Sequence, residues 1–474
     1  MKSKSQKKKA VPVVEQHPGR PYLLPVEDRL AAGKALRERC TRKAHGLWKA
    51  PPKRTDPIEL LLASDRGRLP ELVPIRYGRM MVSPFTYYRG AAPVMAHDLS
   101  GTAVTGLKLQ ACGDCHLLNF GGFATPERKV VFDINDFDET AISFWEWDVK
   151  RLAASFVLAG RANGFDDAQC AEAAWYAAQT YRRRMAEYSR MSVLEAWYAS
   201  LDLEELIESG QDETFKQYSR DRLAAADSLS THAHDLAKLT YELGETPRII
   251  DNPPLVYHQA DLQKHQDYHR LVEEAFGRYR HSLLPARRLL LDRYRIVDVA
   301  LKVVGIGSVG TECGIVLLMS GNGDSLFLQY KEARASVLEP YSGACPYGNH
   351  GQRVVAGQQI MQSASDQFLG WTEGENGRQF YIRQLRDVKV KPVIEAMKPA
   401  NLRHYARSCG WALARAHARS GDAVTLTGYM GKGDAFEDAL TGFACSYADQ
   451  TERDHALLRR AIRAGRVHAV KEGL

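Results

Sequence analysis

Between Lys108 and Asp148 the chain gathers carboxylates, an amide and a histidine around two short apolar runs, KLQACGDCHLLNFGGFATPERKVVFDINDFDETAISFWEWD. Asp114 and Asn119 stand in a D-x-x-x-x-N spacing. The β-like run over 129–134 then leads into a second polar cluster: Asp133, Asn135, Asp136, Asp138 and Glu139. Carboxylates held close together repel each other, so a fold that gathers such a set supplies a cation, a basic partner or water. Asp and Asn are also ordinary turn residues, and NDFDE by itself is compatible with a solvated loop. A turn does not account for GDCHLLNF, where polar groups interrupt an apolar stretch. The segment therefore reads as a catalytic site, with short strands at 107–112, 120–124 and 129–134, the last two forming a hairpin.

Composition bounds the frame around this segment. A chain of 474 residues exceeds one ordinary core, so two domains or two lobes are expected. Hydrophobic content of 45% and charged content of 26% are those of a soluble globular protein. Part of the net charge of +7 sits in the first nine residues, MKSKSQKKK, a basic tail. No specific nucleic-acid binding is expected. No apolar run reaches the length of a membrane span, and no apolar segment follows the basic start, so a cytoplasmic protein is expected. Eight cysteines in so long a chain do not make a disulfide scaffold. Cys112, Cys115 and His116 spell the C-x-x-C-H pattern of c-type haem attachment, but that chemistry belongs to exported proteins. A single C-x-x-C is also weak evidence for zinc. Two buried thiols, with His116 orienting the loop, is the preferred reading.

The rest of the chain divides by pattern. Residues 1–75 read as an extension with helices at 25–45 and 57–67. SPFTYYRGAAPVMAHDL, at 83–99, reads as a strand or packed loop, and its Arg89 is a candidate contact for an anion or an ion-pair partner. Residues 145–288 are mostly helical, with further helices at 167–191, 193–209, 214–243 and 261–280. Phe144, Trp145 and Trp147 read as packed helix-start aromatics. Residues 295–333 and 379–385 are β-like and flank a helix at 352–363. Helices return at 400–418 and 435–462. These patterns suggest a catalytic-loop and helical lobe at 76–290, a β-rich lobe at 291–395, and C-terminal helices at 396–474 that pack back on the helical lobe.

The β-rich stretch holds Gly305, Gly307 and Gly310 in a G-x-G-x-x-G spacing, with Ser308 inside it. In a dinucleotide-binding fold the last glycine opens a helix. Here an apolar β-branched run follows, which favours a glycine-rich hairpin folded over phosphates. Without Cβ atoms, backbone N–H groups approach phosphate oxygens closely. Lys331, at the end of the next strand, would complete the clamp. The helix expected at 352–363 carries no glutamate to hold that lysine, so its acidic partner is unassigned. Arg383 and Arg386 are further candidates for anion contact or ion pairing.

With these residues in view, the chain from Arg76 onward resembles a bacterial family catalogued as domain of unknown function 2252. The runs that carry the resemblance are SPFTYYRGAA, CGDCHLLNFG, FDINDFDET, WEWDVKRLAAS, GIGSVG, YKEA, RQLRD and ARAHARSGD. More distantly, GDCHLLN and NDFD resemble the catalytic loop and the acidic strand end of aminoglycoside and choline phosphotransferases of the kinase superfamily. That resemblance implies Asp114 as catalytic base, Asn119 and Asp136 as Mg²⁺ ligands, and Asp148 as a structural residue that orders the loop. Because the acidic segment precedes the glycine loop, it also implies an α+β, two-lobed kinase-like fold in circularly permuted order. Permutation is cheap when the joined ends lie together at the surface.

The leading expectation is thus an ATP- and Mg²⁺-dependent phosphotransferase with an unidentified hydroxyl-bearing acceptor. Gly305, Gly307, Ser308, Gly310 and Lys331 would hold ATP, with His116, Asp138, Asp148 and Arg89 in support. Nucleotidyl transfer would use the same parts. A metal-dependent hydrolase built on Asp114, His116, Asp133, Asp136 and Asp138 is an alternative. A nucleotide-binding pseudokinase or regulatory module is another.

Overall fold

Proline and side-chain caps set the first helices in the computed structural model, which describes residues 21–228, 239–243, 246–258, 266–374, 377–385 and 388–470. The basic tail and Arg386 lie outside the described residues. α1 (Val26–Arg39) carries Glu27 and Asp28 in its first turn, and Asp56 caps α2 (Pro57–Ser64) by accepting the Ile58 N–H. α3 (Val73–Met80), α4 (Pro84–Gly90) and α5 (Ala92–Ser100) each place a proline in the first turn, where a missing N–H costs no hydrogen bond. Ser83 and Thr86 form a reciprocal capping box on α4. Residues 83–99, expected as a strand or loop, are therefore two helices. Their Ser-Pro and Ala-Ala-Pro steps are start signals that override the strand preference of the aromatic run.

The acidic segment follows as β1 (Lys108–Ala111), β2 (Phe120–Ala124), β3 (Val130–Ile134) and β4 (Ala141–Phe144). β2 and β3 form the expected antiparallel hairpin, and β4 returns to pair with β1. α6 (Trp145–Ala162) and α7 (Asp167–Tyr188) come next, then α8 (Val193–Tyr198), α9 (Leu203–Glu208) and α10 (Glu213–Ser228). The helix expected over 214–243 does not run that far. β5 (Thr240–Leu243) and β6 (Thr246–Ile249) pair as antiparallel strands. Thr240, Tyr241, Thr246 and Ile249 are strand formers, and Pro247 cannot continue a helix.

β7 (Val256–Tyr257), α11 (Gln266–Ser282) and α12 (Pro285–Leu291) lead into a meander of β8 (Tyr294–Lys302), β9 (Cys313–Ser320) and β10 (Ser325–Glu332). After α13 (Glu339–Ser342) and α14 (His350–Met361) the chain adds β11 (Gly370–Glu373), β12 (Gln379–Gln384) and the short β13 (Lys389–Val390). One six-stranded antiparallel sheet results, in the order β11-β12-β10-β9-β8-β7. α14 and α11 pack against its β11 side. β13 leaves this sheet and joins the edge of the β2–β3 hairpin. α15 (Pro399–Ser420), α16 (Ala423–Met430) and α17 (Ala435–Arg463) complete the chain.

The largest core lies where α6 and α7 meet α15 and α17. Trp145 is fully buried and stacks on Tyr181 with ring centroids 5.9 Å apart. Trp147 is buried as well, so these aromatics are core residues. Residues 21–75 pack into the same body. Arg54 reaches Asp98 at 2.7 Å and Asp454 at 2.6 Å, joining α5 to α17. α1 crosses α16 at glycines: a Cβ on Gly33 would meet the Thr425 carbonyl oxygen at 2.0 Å, and one on Gly428 would meet the Leu30 carbonyl oxygen at 2.3 Å. The chain is thus a mixed α+β protein with several antiparallel sheets. No helix among the described residues is long and apolar enough to cross a membrane.

Overpacking a close helix crossing costs about 1–3 kcal/mol. Gly33→Ala is expected to lower the urea midpoint accordingly, with an unchanged denaturant slope. An unaltered midpoint would mean that α1 does not pack on α16.

Candidate active site

The loop from β1 to β2 is shaped by one glycine and one aspartate. Gly113 has a positive φ of 87°, and a Cβ there would collide with the Glu139 carbonyl oxygen at 2.1 Å. Asp148, in the first turn of α6, accepts the Cys112 N–H at 2.6 Å and the Gly113 N–H at 2.9 Å. His417 of α15 lies 3.1 Å from the same carboxylate, and its other ring nitrogen meets the Tyr181 hydroxyl at 2.9 Å. A buried four-group chain thus holds the loop from beneath. Cys112 and Cys115 are buried beside it as free thiols; the hydrogen bond with Cys115 and then burial raise the Cys112 thiol, and burial raises that of Cys115.

Above this support the polar residues face a cavity of about 260 Å³. Asp114, His116, Asn119, Asp136 and Asp138 line it from the acidic segment, and Gly305, Gly307 and Ser308 line it from the β8–β9 turn. The two stretches thus meet across one cleft. Asn119 donates its amide N–H to the Asp114 carbonyl at 2.7 Å, which fixes which way its oxygen turns. Asp114 Oδ1 is held by Arg151 Nε at 2.6 Å. No hydrogen bond falls on its Oδ2 among the described residues, and His116 Nε2 lies 4.0 Å away from it. Burial raises the Asp114 carboxyl above the ordinary aspartate range despite Arg151. Burial, with Arg89 and Arg151 nearby, holds His116 well below the usual imidazole range, so its ring is neutral.

The glycine turn joins two antiparallel strands, as expected, and no helix follows it. Gly305 and Gly310 have positive φ of 70° and 88°. The turn is tied to the N-terminal helices. The Leu69 N–H donates to the Gly310 carbonyl at 2.7 Å, Arg68 donates to the Val309 carbonyl at 2.6 Å, and Arg79 reaches the Gly305 carbonyl. Gly310 is thereby anchored behind the turn and does not line the cavity.

Lys331 sits on β10 directly across from Tyr381 on β12. Both reach the same acid: Lys331 Nζ lies 3.1 Å from Asp138 Oδ2, and the Tyr381 hydroxyl donates to Oδ1 at 2.5 Å. Burial opposes ionisation of Asp138, but Lys331 and Tyr381 outweigh it and the carboxyl falls below its usual range. The lysine's carboxylate is therefore Asp138, two residues beyond Asp136. α14 instead presents Arg353, which donates to the Asp138 carbonyl at 2.9 Å, the Arg334 carbonyl at 2.7 Å and the Thr140 carbonyl. Asp133 is not at the cleft. It is fully buried and paired with Arg415 at 2.8 Å.

Arg89 projects from α4 into the cleft wall. Its Nε is buried with no hydrogen-bond partner, and Gly307 lies against its carbonyl oxygen. Burial lowers its basicity, while Asp114 and Asp136 favour its charge. The sequence reading did not find Arg151, Arg353 or Tyr381 among the groups that organise this site. Arg151 stands three residues after Asp148 in WEWDVKR, one helical turn along the same face. Nothing local marked the other two.

A comparison with family models matches the chain, over residues 68–461, to the family described as "Uncharacterized protein conserved in bacteria (DUF2252)". The chain belongs to that family. No curated protein and no solved structure matches it. The matched region contains Arg89, the acidic loop, the glycine turn and the supporting His417. It also contains Lys331, which does not itself line the cavity but pairs with Asp138, which does.

Asp148→Asn leaves one acceptor oxygen where two N–H groups converge. An unsatisfied buried N–H costs about 1–3 kcal/mol, so the variant is expected to lose that much stability in urea. Faster hydrogen exchange should appear at Gly113, and unchanged exchange there would contradict the clamp.

Proposed function

We propose that the chain is an ATP- and Mg²⁺-dependent phosphotransferase with a two-lobed, kinase-like fold in circularly permuted order, acting on a hydroxyl-bearing acceptor. The observation that carries the reading is the single cavity lined by Gly305, Gly307 and Ser308 on one side and by Asp114, Asn119 and Asp136 on the other. Phosphoryl transfer by kinases needs a glycine-rich turn over the phosphates, a lysine on the third strand, a catalytic aspartate with an asparagine beyond it, and a second aspartate for metal. The β8–β9 turn, Lys331 on β10, the Asp114–Asn119 loop and Asp136 match those parts in kind. The helices α15 and α17, from the chain end, pack on α6 and α7. Helices from before and after the β-rich stretch thus pack together, which supports a permuted order.

The residues of the cleft fit Mg²⁺ and a phosphate group. The carboxylate and amide oxygens of Asp136 and Asn119 are hard donors suited to Mg²⁺. Arg89, with its orphaned buried Nε, is suited to an anion. Bound ATP supplies the phosphoryl group, and Mg²⁺ offsets its charge. The chain's own part is positioning and electrostatics. Lys331, oriented by Asp138, would neutralise phosphate oxygens. Asp114 would take the acceptor's proton on Oδ2 while Arg151 holds Oδ1. α14 carries no glutamate for the lysine, which was the support for a pseudoenzyme, but Asp138 of the acidic loop gives Lys331 a carboxylate partner and so favours the phosphotransferase. The hydrolase reading loses Asp133 to Arg415.

ATP with Mg²⁺ is expected to raise the melting temperature of the wild type, and neither Asp136→Ala nor Lys331→Ala should respond in the same way. A response to metal alone that persists in Lys331→Ala would favour the hydrolase. A second expectation concerns pH. Asp114 acts as a base only when ionised, so ATP turnover should fall as pH drops through its raised pKa. The acid limb should therefore lie above the usual aspartate value of about 3.9. Asp114→Asn should cost about 100-fold or more in turnover, and full activity in that variant would remove Asp114 from the chemistry.

A further inference from the structure

Outside the cleft, the stretch joining α13 to α14 brings three unlike metal-binding side chains together. One ligand atom each from Glu339, Cys345 and His350 lies within 4.8 Å of the other two. None of the three lines the cavity described above.

The hydrogen bonding around them leaves this set unspent. Glu339 Oε1 accepts the Ser336 N–H at 2.9 Å and stands 3.7 Å from His350 Nδ1. Its Oε2 has no hydrogen bond among the described residues. His350 Nδ1 is buried and has no hydrogen-bond partner. Arg353 competes for Glu339. Its Nε stands 3.8 Å from Glu339, too far for a hydrogen bond, while its other nitrogens are engaged by three carbonyls. Cys345 Sγ accepts the Tyr347 N–H at 3.4 Å.

We propose that Glu339, Cys345 and His350 form a zinc site at the start of α14. One sulfur, one nitrogen and one oxygen donor suit a borderline-soft ion. Zinc takes such ligands at about 2.3 Å for sulfur and about 2.0–2.2 Å for nitrogen and oxygen. Three protein ligands leave a fourth position for water. Mg²⁺ and Ca²⁺ prefer all-oxygen sites and are excluded by the thiolate and imidazole. Gly343, at a positive φ of 112°, ends α13 and turns the chain toward Cys345. His350 is the first residue of α14, and Arg353 lies one turn further on against the Asp138 loop. The ion would therefore pin the helix that buttresses the cleft, without entering it.

The full chain, stripped with a chelator and titrated with Co²⁺, should give a thiolate-to-cobalt charge-transfer band that saturates at about one equivalent. Zinc should displace the cobalt and raise the melting temperature. Cys345→Ser should lose the band. His350→Asn, which keeps the thiol, should weaken binding at least tenfold. Cys445→Ser, a thiol on α17, and Asp136→Ala, in the cleft, should each keep the band. No band in the wild type would overturn the site, as would a band that survives in Cys345→Ser or disappears in Cys445→Ser.

Discussion

The carboxylate of Asp138 joins the acidic loop to the six-stranded sheet. Its two oxygens are taken by two residues that face each other across neighbouring strands, Lys331 of β10 and Tyr381 of β12. These groups are far apart in sequence: 193 residues separate Asp138 from Lys331. Breaking such a buried pair from one side costs about 3–5 kcal/mol, because the other charge is left without a partner. The glycine turn, which lines one cavity with Asp114 and Asp136, is joined to this contact through the paired strands β8, β9 and β10. Arg353 reinforces it through backbone carbonyls on both sides of the junction.

A second buried pair fixes the floor. Arg415 of α15 and Asp133 of β3 are both fully buried. The same carboxylate accepts the N–H and the hydroxyl of Ser363, each at 2.9 Å, just beyond α14. β3, α14 and α15 are thereby tied at one point. The acids of the segment divide by partner: Asp133 and Asp148 are spent on structure, Asp138 orients the lysine, and Asp114 and Asp136 face the cleft.

Much of this was legible locally. Strong periodicity marked α6, α7, α15 and α17, and short apolar runs bounded by turn residues marked β9, β10 and β12, with ends close to those expected. The glycine spacing followed by an apolar run pointed to a hairpin turn, which is what joins β8 to β9. The errors also have local causes. In residues 83–99 aromatic strand preference was weighed above two proline start signals. Over 240–243 a helix was carried into residues that pair as a strand. β11 and the short β13 went unread, because so few residues carry no period of their own and their pairing partners lie elsewhere in the chain.

The kinds of polar group available to the site were written in residue types and spacings. Carboxylates, an amide and glycines at those intervals limit what a loop can bind, whatever the fold around them. Which acid serves which role was decided only by tertiary structure. Asp133, Asp136 and Asp138 alternate along a few residues and look equivalent in one dimension. One of them ends beside a buried arginine, one in the cleft and one on a lysine from a distant strand. Charges choose partners by distance in space, and that distance is set by how sheets and helices pack.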